Sequence, residues 1–465
     1  MESKNRTGSN PLDTAAQSSA INRSAMAEDT QEPGGSIEPS RDYWTLPFSR
    51  RTLSKGIKGA GIAAILAASV GAGGVLAKTG ILNPFGGGSS EGNPNPTLNQ
   101  KNENVSIPSK DLLFTIGQEK KLSLNQFGKQ WTPDGHISYY TTPQGHKRYF
   151  ITAADSTWMI ETPGQKSLED YISSGELTNN DFHDVLDPTP TATADFSTST
   201  DPKNGYAGIT KVLQLDPQGN PDHLYAVAHY EQRAGRDASD TYAASVGLLE
   251  STDGGFHWTD KGVLFGGTDR LKPGGQISGA GQPAALVIGD KVEVMFINWN
   301  SGADQLYGLT MQINPDKTLG QPQLIKDASG QLQPIIPIPD NIPGAGYAAL
   351  PSWSYNEDLG AYLCFFETGV GEAAAVSSDG IRWSEPKLVM EFTKVNSEPR
   401  GTDLKDGEEF LQYFSALSDG TTPTDSTTKG PMIGYVSSRP MTRNPDGTIK
   451  SFPAHNLVAR DIKAA

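Results

Sequence analysis

The chain has very little cysteine and a deficit of positive charge. A single cysteine among 465 residues, Cys364, excludes an intrachain disulfide and any metal or redox site built on paired cysteines. Lys and Arg number 38 against 53 Asp and Glu, a net charge of −15. Such a surface does not suit the backbone of DNA or RNA. We therefore expect no nucleic-acid partner, and contact with a membrane only through the N-terminal segment described below.

The sequence also lacks the short motifs that mark several enzyme classes. It contains no P-loop and no H-E-x-x-H sequence, and its seven histidines are dispersed along the chain. We therefore expect no organic cofactor and no catalytic metal. A structural calcium or sodium ion is left open.

The N-terminal region has the parts of an export signal. Arg50 and Arg51 precede residues 59–77, a 19-residue uncharged run built mostly from Ala and Gly. A basic stretch, a moderately apolar run and small residues at its end are typical of a signal peptide. The paired arginines resemble the twin-arginine signal, which implies the twin-arginine export machinery as a partner. The alternative is an uncleaved anchor, because the run is about long enough to cross ~30 Å of hydrocarbon.

Either reading predicts that the rest of the chain is exported across a bacterial cytoplasmic membrane, and is then secreted or anchored at the cell surface. The predicted organisation has four parts. Residues 1–58 are a disordered polar region with the arginine pair, and residues 59–77 are the signal or anchor. Residues 78–110 are rich in Gly, Ser, Asn and Pro, a composition that predicts a flexible linker. Residues 111–465 form one β-domain.

Short runs of β-branched and aromatic residues fill this domain, separated by Gly, Pro, Asp and Asn. One helical stretch is predicted at residues 167–174. The strand predictions fall into three complete sets of four and two partial sets at residues 135–161 and 410–437. The complete sets are 207–215, 223–231, 243–250 and 258–265; then 282–288, 292–299, 306–313 and 321–325; then 348–355, 361–367, 373–377 and 386–390. Sets of four strands that repeat in this way predict an all-β, five-bladed β-propeller.

Two turns carry a sharper signal. Residues 251–258 match S-x-D-x-G-x-x-W, and residues 377–383 repeat the pattern one residue shorter. Each lies between the third and fourth strands of its set. Asp253 and Asp379 are predicted to accept hydrogen bonds from turn N–H groups, and the Trp to pack across the hairpin. The turns resemble the Asp-box of sialidases and other β-propellers, which implies a structural role away from the propeller axis.

The domain as a whole resembles the five-bladed β-propeller glycoside hydrolases, a superfamily that includes arabinanases and invertases. The likeness is carried by residues 130–135 (QWTPDG), 245–251 (SVGLLES), 279–283 (GAGQP) and 377–386. It implies a carbohydrate ligand in a funnel at one end of the axis, and catalytic acids at the starts of innermost strands. Asp134 matches the first-blade acid and Trp131 an aromatic wall. Asp155, at the end of the second strand of the same blade, is a third candidate acid.

The second carboxylate is predicted at the end of the strand 223–231. His229 and Glu231 are two residues apart and therefore share a face of that strand. A carboxylate beside an imidazole at a buried strand end points either to catalysis or to a structural pair between blades. Glu367 and Arg439 occupy the corresponding strand ends of the fourth and fifth blades and are candidate substrate contacts or salt-bridge partners.

The resemblance fails at one point. The third blade has Gln276 and Gln282 where the arabinanase-like families place an acid. Three functions therefore stay open. The first is a glycoside hydrolase with two carboxylates in the funnel, the second a non-catalytic propeller that binds carbohydrate or a surface, and the third a six-bladed enzyme similar to sialidases.

Overall fold

The computed structural model describes residues 114–122, 124–129, 132–153, 157–186, 205–233, 242–266, 277–301, 304–391, 409–418, 422–440, 442–443, 449–451 and 456–464. These residues form 23 strands. Among them the α-helical part is Leu168–Ser173, capped by the Ser167 hydroxyl, which accepts from the Asp170 N–H. Single 3₁₀ turns lie at Asn125–Phe127, Asn179–Asp181 and Trp299–Ser301. The prediction of an all-β domain with one short helix is confirmed. Within the described ranges no helix is long and apolar enough to cross a bilayer.

Most strands belong to five groups of four, named here groups I to V. Group I is β2 Ile137–Thr141, β3 Lys147–Thr152, β4 Thr157–Thr162 and β5 Phe182–Asp184; group II is β6 Gly205–Gln214, β7 Leu224–Arg233, β8 Tyr242–Ser251 and β9 Thr259–Gly266. Group III is β10 Ser278–Ile288, β11 Lys291–Asn298, β12 Leu306–Gln312 and β13 Gln323–Leu324; group IV is β14 Ala349–Asn356, β15 Ala361–Glu367, β16 Gly371–Ser377 and β17 Lys387–Glu391. Within each of these groups, consecutive strands pair antiparallel.

Group V differs because the N-terminal strand completes it. Its strand order is β1-β23-β20-β18, from β1 Phe114–Leu122, β18 Glu409–Leu417, β20 Met432–Pro440 and β23 Asn456–Ala464. Phe114 pairs with Ala464 and Leu122 with Leu457. The partial set at residues 410–437 is therefore completed from both ends of the domain. Three short strands stand outside the groups: β19 Thr427–Thr428, β21 Thr442–Arg443 and β22 Ile449–Ser451.

The groups follow one another in a closed cycle. The first strand of each group contacts the first strand of the next, from β2 to β6, β10, β14 and β18. The Ile137 N–H of β2 donates to Ser415 Oγ of β18 at 2.9 Å, which joins the last group to the first.

Five apolar clusters lie between neighbouring groups, one at each junction. Tyr149 packs with Tyr435 between groups I and V, and Phe150 with Trp258 between I and II. The remaining junctions have the same construction, with Val246 and Phe296 between II and III, Met295 and Phe366 between III and IV, and Phe365 and Phe414 between IV and V. The inner strands of each sheet are therefore buried on both faces, as the nearly continuous burial of β10 and β16 shows.

The strand directions give the domain two distinct ends. We name one of them the proximal end. In every group, the first and third strands begin at this end and the second strand ends there. In group II, the proximal end carries Tyr206 and Glu231. The distal end carries the opposite hairpins, including both S-x-D turns. There the His257 N–H donates to Asp253 Oδ1 at 3.0 Å, and the Trp258 indole donates to the Gly255 carbonyl at 3.0 Å.

The connection between β18 and β20 of group V, residues 422–428, lies on the inner edges of groups I and IV. Thr424 forms a bridge to Tyr140 at the end of β2, while β19 pairs in parallel with β14. Lys211 Nζ of β6 forms a salt bridge to Asp425 Oδ1 at 3.0 Å, and both side chains are buried. Burial lowers the pKa of Lys211 and raises that of Asp425. This segment thus connects groups I, II, IV and V near the distal end.

Candidate functional site

The candidate residues whose backbone is described all lie at the proximal end. Asp134 precedes β2, His229 and Glu231 are near the end of β7, and Glu367 ends β15. Arg439 is the penultimate residue of β20, where it pairs with Phe410 of β18. Its side chain is outside the described part of the structure. The topology therefore brings together strand ends that are far apart in sequence.

Other sequence predictions fall outside the described residues. They are Trp131, Asp155, Gln276 and the N-terminal pair Arg50 and Arg51.

The first strands bend where they reach this end. Three of them contain a non-glycine residue in the left-handed region: Gln282 (φ 49°) in β10, Leu350 (φ 53°) in β14 and Tyr413 (φ 61°) in β18. The strand register shifts at each of these points. Such bulges redirect side chains, and left-handed non-glycine residues concentrate at functional sites because their strain must be held by the surrounding structure. A proline follows two of them, a sequence signal for a bulge within a strand.

His229 and Glu231 contact each other near the end of β7. His229 Nε2 lies 2.9 Å from Glu231 Oε1, and the two residues are 2% and 6% exposed. Gly208 is the cross-strand partner of His229 on β6, and Tyr206 that of Glu231. The imidazole packs edge-on against the Tyr206 ring, with ring centroids 6.3 Å apart.

Group III holds the other side of the same imidazole. The Gln282 N–H donates to His229 Nδ1 at 3.3 Å, and the Trp299 ring lies 6.1 Å from the imidazole. A Cβ atom on Gly281 would stand 2.1 Å from His229 Nδ1, so only glycine allows this approach. Position 282, where the resemblance to the arabinanase-like families led us to expect an acid, therefore supplies a backbone N–H donor to His229.

Asp134 is linked to group II through residues 152 and 153 of group I. It is 4% exposed, and its N–H donates to the Thr152 carbonyl at 2.7 Å. Thr152 Oγ1 in turn donates to the Ile209 carbonyl of β6, and the Tyr206 hydroxyl donates to the Ala153 carbonyl at 2.8 Å. The turn that carries Asp134 is thus fixed against the strand that packs on His229 and Glu231.

Two further carboxyl groups are buried at the proximal end of group IV. Glu367 is fully buried and accepts a hydrogen bond from the Tyr347 hydroxyl at 2.8 Å. Glu372, its cross-strand partner at the start of β16, has no hydrogen-bond partner for either carboxyl oxygen within the described residues. Burial raises the pKa of Glu372 to about 8. Burial therefore favours the neutral form of Glu372, a feature that the sequence did not predict.

Aromatic side chains connect these groups into a belt. Tyr206 contacts His229, and His229 contacts Trp299. Trp299 packs against an apolar cluster that contains Tyr347 and Tyr413. Tyr413 stands edge-on to His136 of group I, with centroids 6.4 Å apart. Burial lowers the pKa of His136 to about 4, so its ring is neutral at pH 7.

The belt takes a side chain from each of the five groups, and sequence reasoning missed most of it. Trp299 was read only as the last residue of a strand. A common signal was nevertheless present, since most members lie near the start of a first strand or the end of a second strand; Tyr413, in the middle of β18, is the exception. The described residues contain no cluster of three or more side chains suited to a metal. What they offer instead is buried carboxyl groups, a neutral imidazole and aromatic faces.

No protein-family model and no curated protein matches the chain. Among solved structures it is similar to the catalytic domain of a GH62 alpha-L-arabinofuranosidase from Coprinopsis cinerea, at 11% identity over 75% of this chain and 97% of that one, with a TM-score of 0.42. An alpha-L-arabinofuranosidase from Podospora anserina in complex with cellotriose has 12% identity over 75% and 96% of the chains, with a TM-score of 0.41. A family 117 glycoside hydrolase from the marine bacterium Zobellia galactanivorans has 11% identity over 76% and 90%, also with a TM-score of 0.41. A likeness this distant does not assign the chain to a family.

Proposed function

We propose that the five groups are the blades of a five-bladed β-propeller, closed by pairing of the first and last strands, and that its proximal end is a carbohydrate site. The cyclic contacts of the first strands and the five apolar junctions support this architecture. The six-bladed alternative requires a sixth four-stranded group, and the described residues form five.

The proposed activity is hydrolysis of a glycosidic bond in that site. The observation that carries the proposal is the joining of Asp134 and the His229–Glu231 pair through Thr152 and Tyr206, inside an aromatic belt. Glycoside hydrolysis requires one carboxyl group to donate a proton and a second to act as base or nucleophile. Aromatic faces suit the apolar face of a sugar ring. The proposed reaction needs no resident cofactor.

The test is a pair of isosteric substitutions, Asp134→Asn and Glu231→Gln, assayed on a panel of aryl glycosides and plant and algal oligosaccharides. Each removes a carboxyl group but keeps its size. We expect each to lower kcat by about 10²-fold or more, since acid–base catalysis contributes roughly that much. Binding of the oligosaccharide, measured by calorimetry, should largely remain. Glu250→Gln is the matched control, because Glu250 lies on β8 of the same group at the distal end.

The alternative, a propeller that binds carbohydrate without cleaving it, predicts different results in the same assays. If the propeller only binds carbohydrate, the wild type cleaves nothing on the panel, while Trp299→Ala abolishes binding of an oligosaccharide that the wild type retains. If the wild type neither cleaves nor binds any member of the panel, the carbohydrate proposal is wrong.

Export is a separate proposal and concerns residues outside the described part of the structure. We propose that Arg50 and Arg51 direct the folded protein to the twin-arginine machinery, and that it is then secreted or kept at the cell surface by residues 59–77. Replacing both arginines with lysine should retain the protein in the cytoplasm. Normal export of the Lys-Lys variant would contradict the assignment.

A further inference from the structure

We infer that His229 is a positioning residue whose proton is fixed on Nε2 by the backbone of group III, so that it holds Glu231 as a carboxylate. The inference rests on the proposed function and assigns a role within it. Glu231 then acts as base or nucleophile, and the proton donor is a different carboxyl group. His229 itself does not contact the sugar.

The direction of the hydrogen bonds fixes the tautomer. A backbone N–H can only donate, so Nδ1 of His229 accepts from Gln282 and carries a lone pair. A neutral imidazole has one N–H, which must therefore be on Nε2. That nitrogen lies 2.9 Å from Glu231 Oε1, so His229 is the donor in this contact.

Rigid surroundings maintain this arrangement. Gln282 is held at φ 49° in a bulge between Gly281 and Pro283, which fixes the direction of its N–H. The Tyr206 and Trp299 rings flank the imidazole at 6.3 Å and 6.1 Å. The opposite tautomer would place two N–H groups against each other at the Gln282 contact and would leave Nε2 and the Glu231 oxygen as facing acceptors.

The consequence concerns the division of roles at the site. A hydrogen bond donated to a carboxylate stabilises its charged form relative to the neutral acid. Glu231 is then unsuited to give up a proton in the first step of hydrolysis and suited to accept one or to attack. The same bond fixes the orientation of the carboxyl plane, as outer-shell partners do for ligating groups in other sites.

Two substitutions separate the two hydrogen bonds of His229. The amide nitrogen of His229→Gln lies near the place of Nε2 and keeps a donor for Glu231, while the amide oxygen of His229→Asn lies near Nδ1 and keeps only the acceptor for Gln282. We expect His229→Gln to keep kcat within about tenfold of the wild type, and His229→Asn to lose about 10–100-fold with KM nearly unchanged. The reverse order, with both proteins equally stable, would mean that the bond to Gln282 matters and would overturn the inference.

A second measurement does not depend on activity. In protein labelled with ¹⁵N-histidine, the long-range proton–nitrogen spectrum distinguishes the two neutral tautomers, and the His229→Gln variant identifies the His229 signals. We expect the Nε2–H form at pH 7, and we expect it to persist in Glu231→Gln because Gln282 sets it. Observation of the Nδ1–H form would overturn the inference even if the enzyme is active. If the Nε2–H form is observed but the protein cleaves no glycoside, the proposed function is wrong. The direction of the His229–Glu231 hydrogen bond is then still established.

Discussion

Glu372 provides a sharp test of the electrostatics at the proximal end. Its side chain is fully buried at the start of β16, and neither carboxyl oxygen has a hydrogen-bond partner in the described ranges. Burial raises its pKa from 4.5 to about 8. The perturbation we consider is Glu372→Gln, which keeps the shape of the neutral acid and removes its ability to ionise.

The sign follows from proton binding. Between pH 4.5 and about 8 the folded protein holds a proton on Glu372 that the unfolded chain has released, so the free energy of unfolding falls as pH rises. Each pH unit in this window costs about 1.4 kcal/mol. The accumulated cost is roughly 3 kcal/mol at pH 7 and approaches 5 kcal/mol above pH 8. In Glu372→Gln that cost is absent, so the variant should match the wild type near pH 4.5 and exceed its stability increasingly toward pH 8.

The assay is urea unfolding followed by tryptophan fluorescence at pH 5, 6, 7 and 8. Glu391→Gln serves as the control, because Glu391 is exposed on the neighbouring strand β17 and should show no such trend. The reasoning is refuted if Glu372→Gln is no more stable than the wild type at pH 8. It is equally refuted if the advantage shrinks as pH rises, because that result would require a charged, partnered carboxylate.

Three other substitutions test separate parts of the fold. Asp379→Ala removes the acceptor of two turn N–H groups and should cost about 1–3 kcal/mol in denaturant unfolding, with turnover per folded molecule unchanged. Lys211→Met leaves Asp425 as an uncompensated buried charge and should lower the free energy of unfolding by about 3–5 kcal/mol. Adding Asp425→Leu should recover most of that loss. A double variant as unstable as Lys211→Met would contradict the pairing. Gly281→Ala places a methyl group 2.1 Å from His229 Nδ1, so it should displace the imidazole and reduce turnover as strongly as His229→Asn; an active Gly281→Ala protein would contradict the described contact.

The strands of groups II to IV were predictable because each is a local pattern. The predicted strand at residues 361–367 coincides with β15, and the others differ from the observed strands by a few residues at their ends. The S-x-D turns were readable for the same reason, since their hydrogen bonds join residues within one turn. Strand β1 was missed, because Phe114–Leu122 becomes a strand only through pairing with residues more than 300 positions away.

The site was predictable only in part. The i, i+2 spacing of His229 and Glu231 was enough to place both side chains on one face of β7. The partner of His229 could not be read, because it is a backbone N–H and any residue at position 282 supplies one. Trp299 and Tyr413 become members of the belt only when the fold brings the end of β11 and the middle of β18 to one apolar cluster, which also contains Tyr347.

The pairing of the first and last strands also sets how the domain responds to mechanical force. Phe114 and Ala464 are partners at one end of an antiparallel ladder, and Leu122 and Leu457 are partners near the other. A pull between residues 114 and 464 therefore loads one hydrogen bond at a time, as in opening a zipper, instead of loading the whole ladder in shear. Along that path the separating strands must also break the ion pair of Arg460 with Glu119, at 2.8 Å. If one end of the chain is fixed to a cell and the other is pulled, the ring opens by peeling at this seam, while the apolar junctions between groups I to IV bear no load at first.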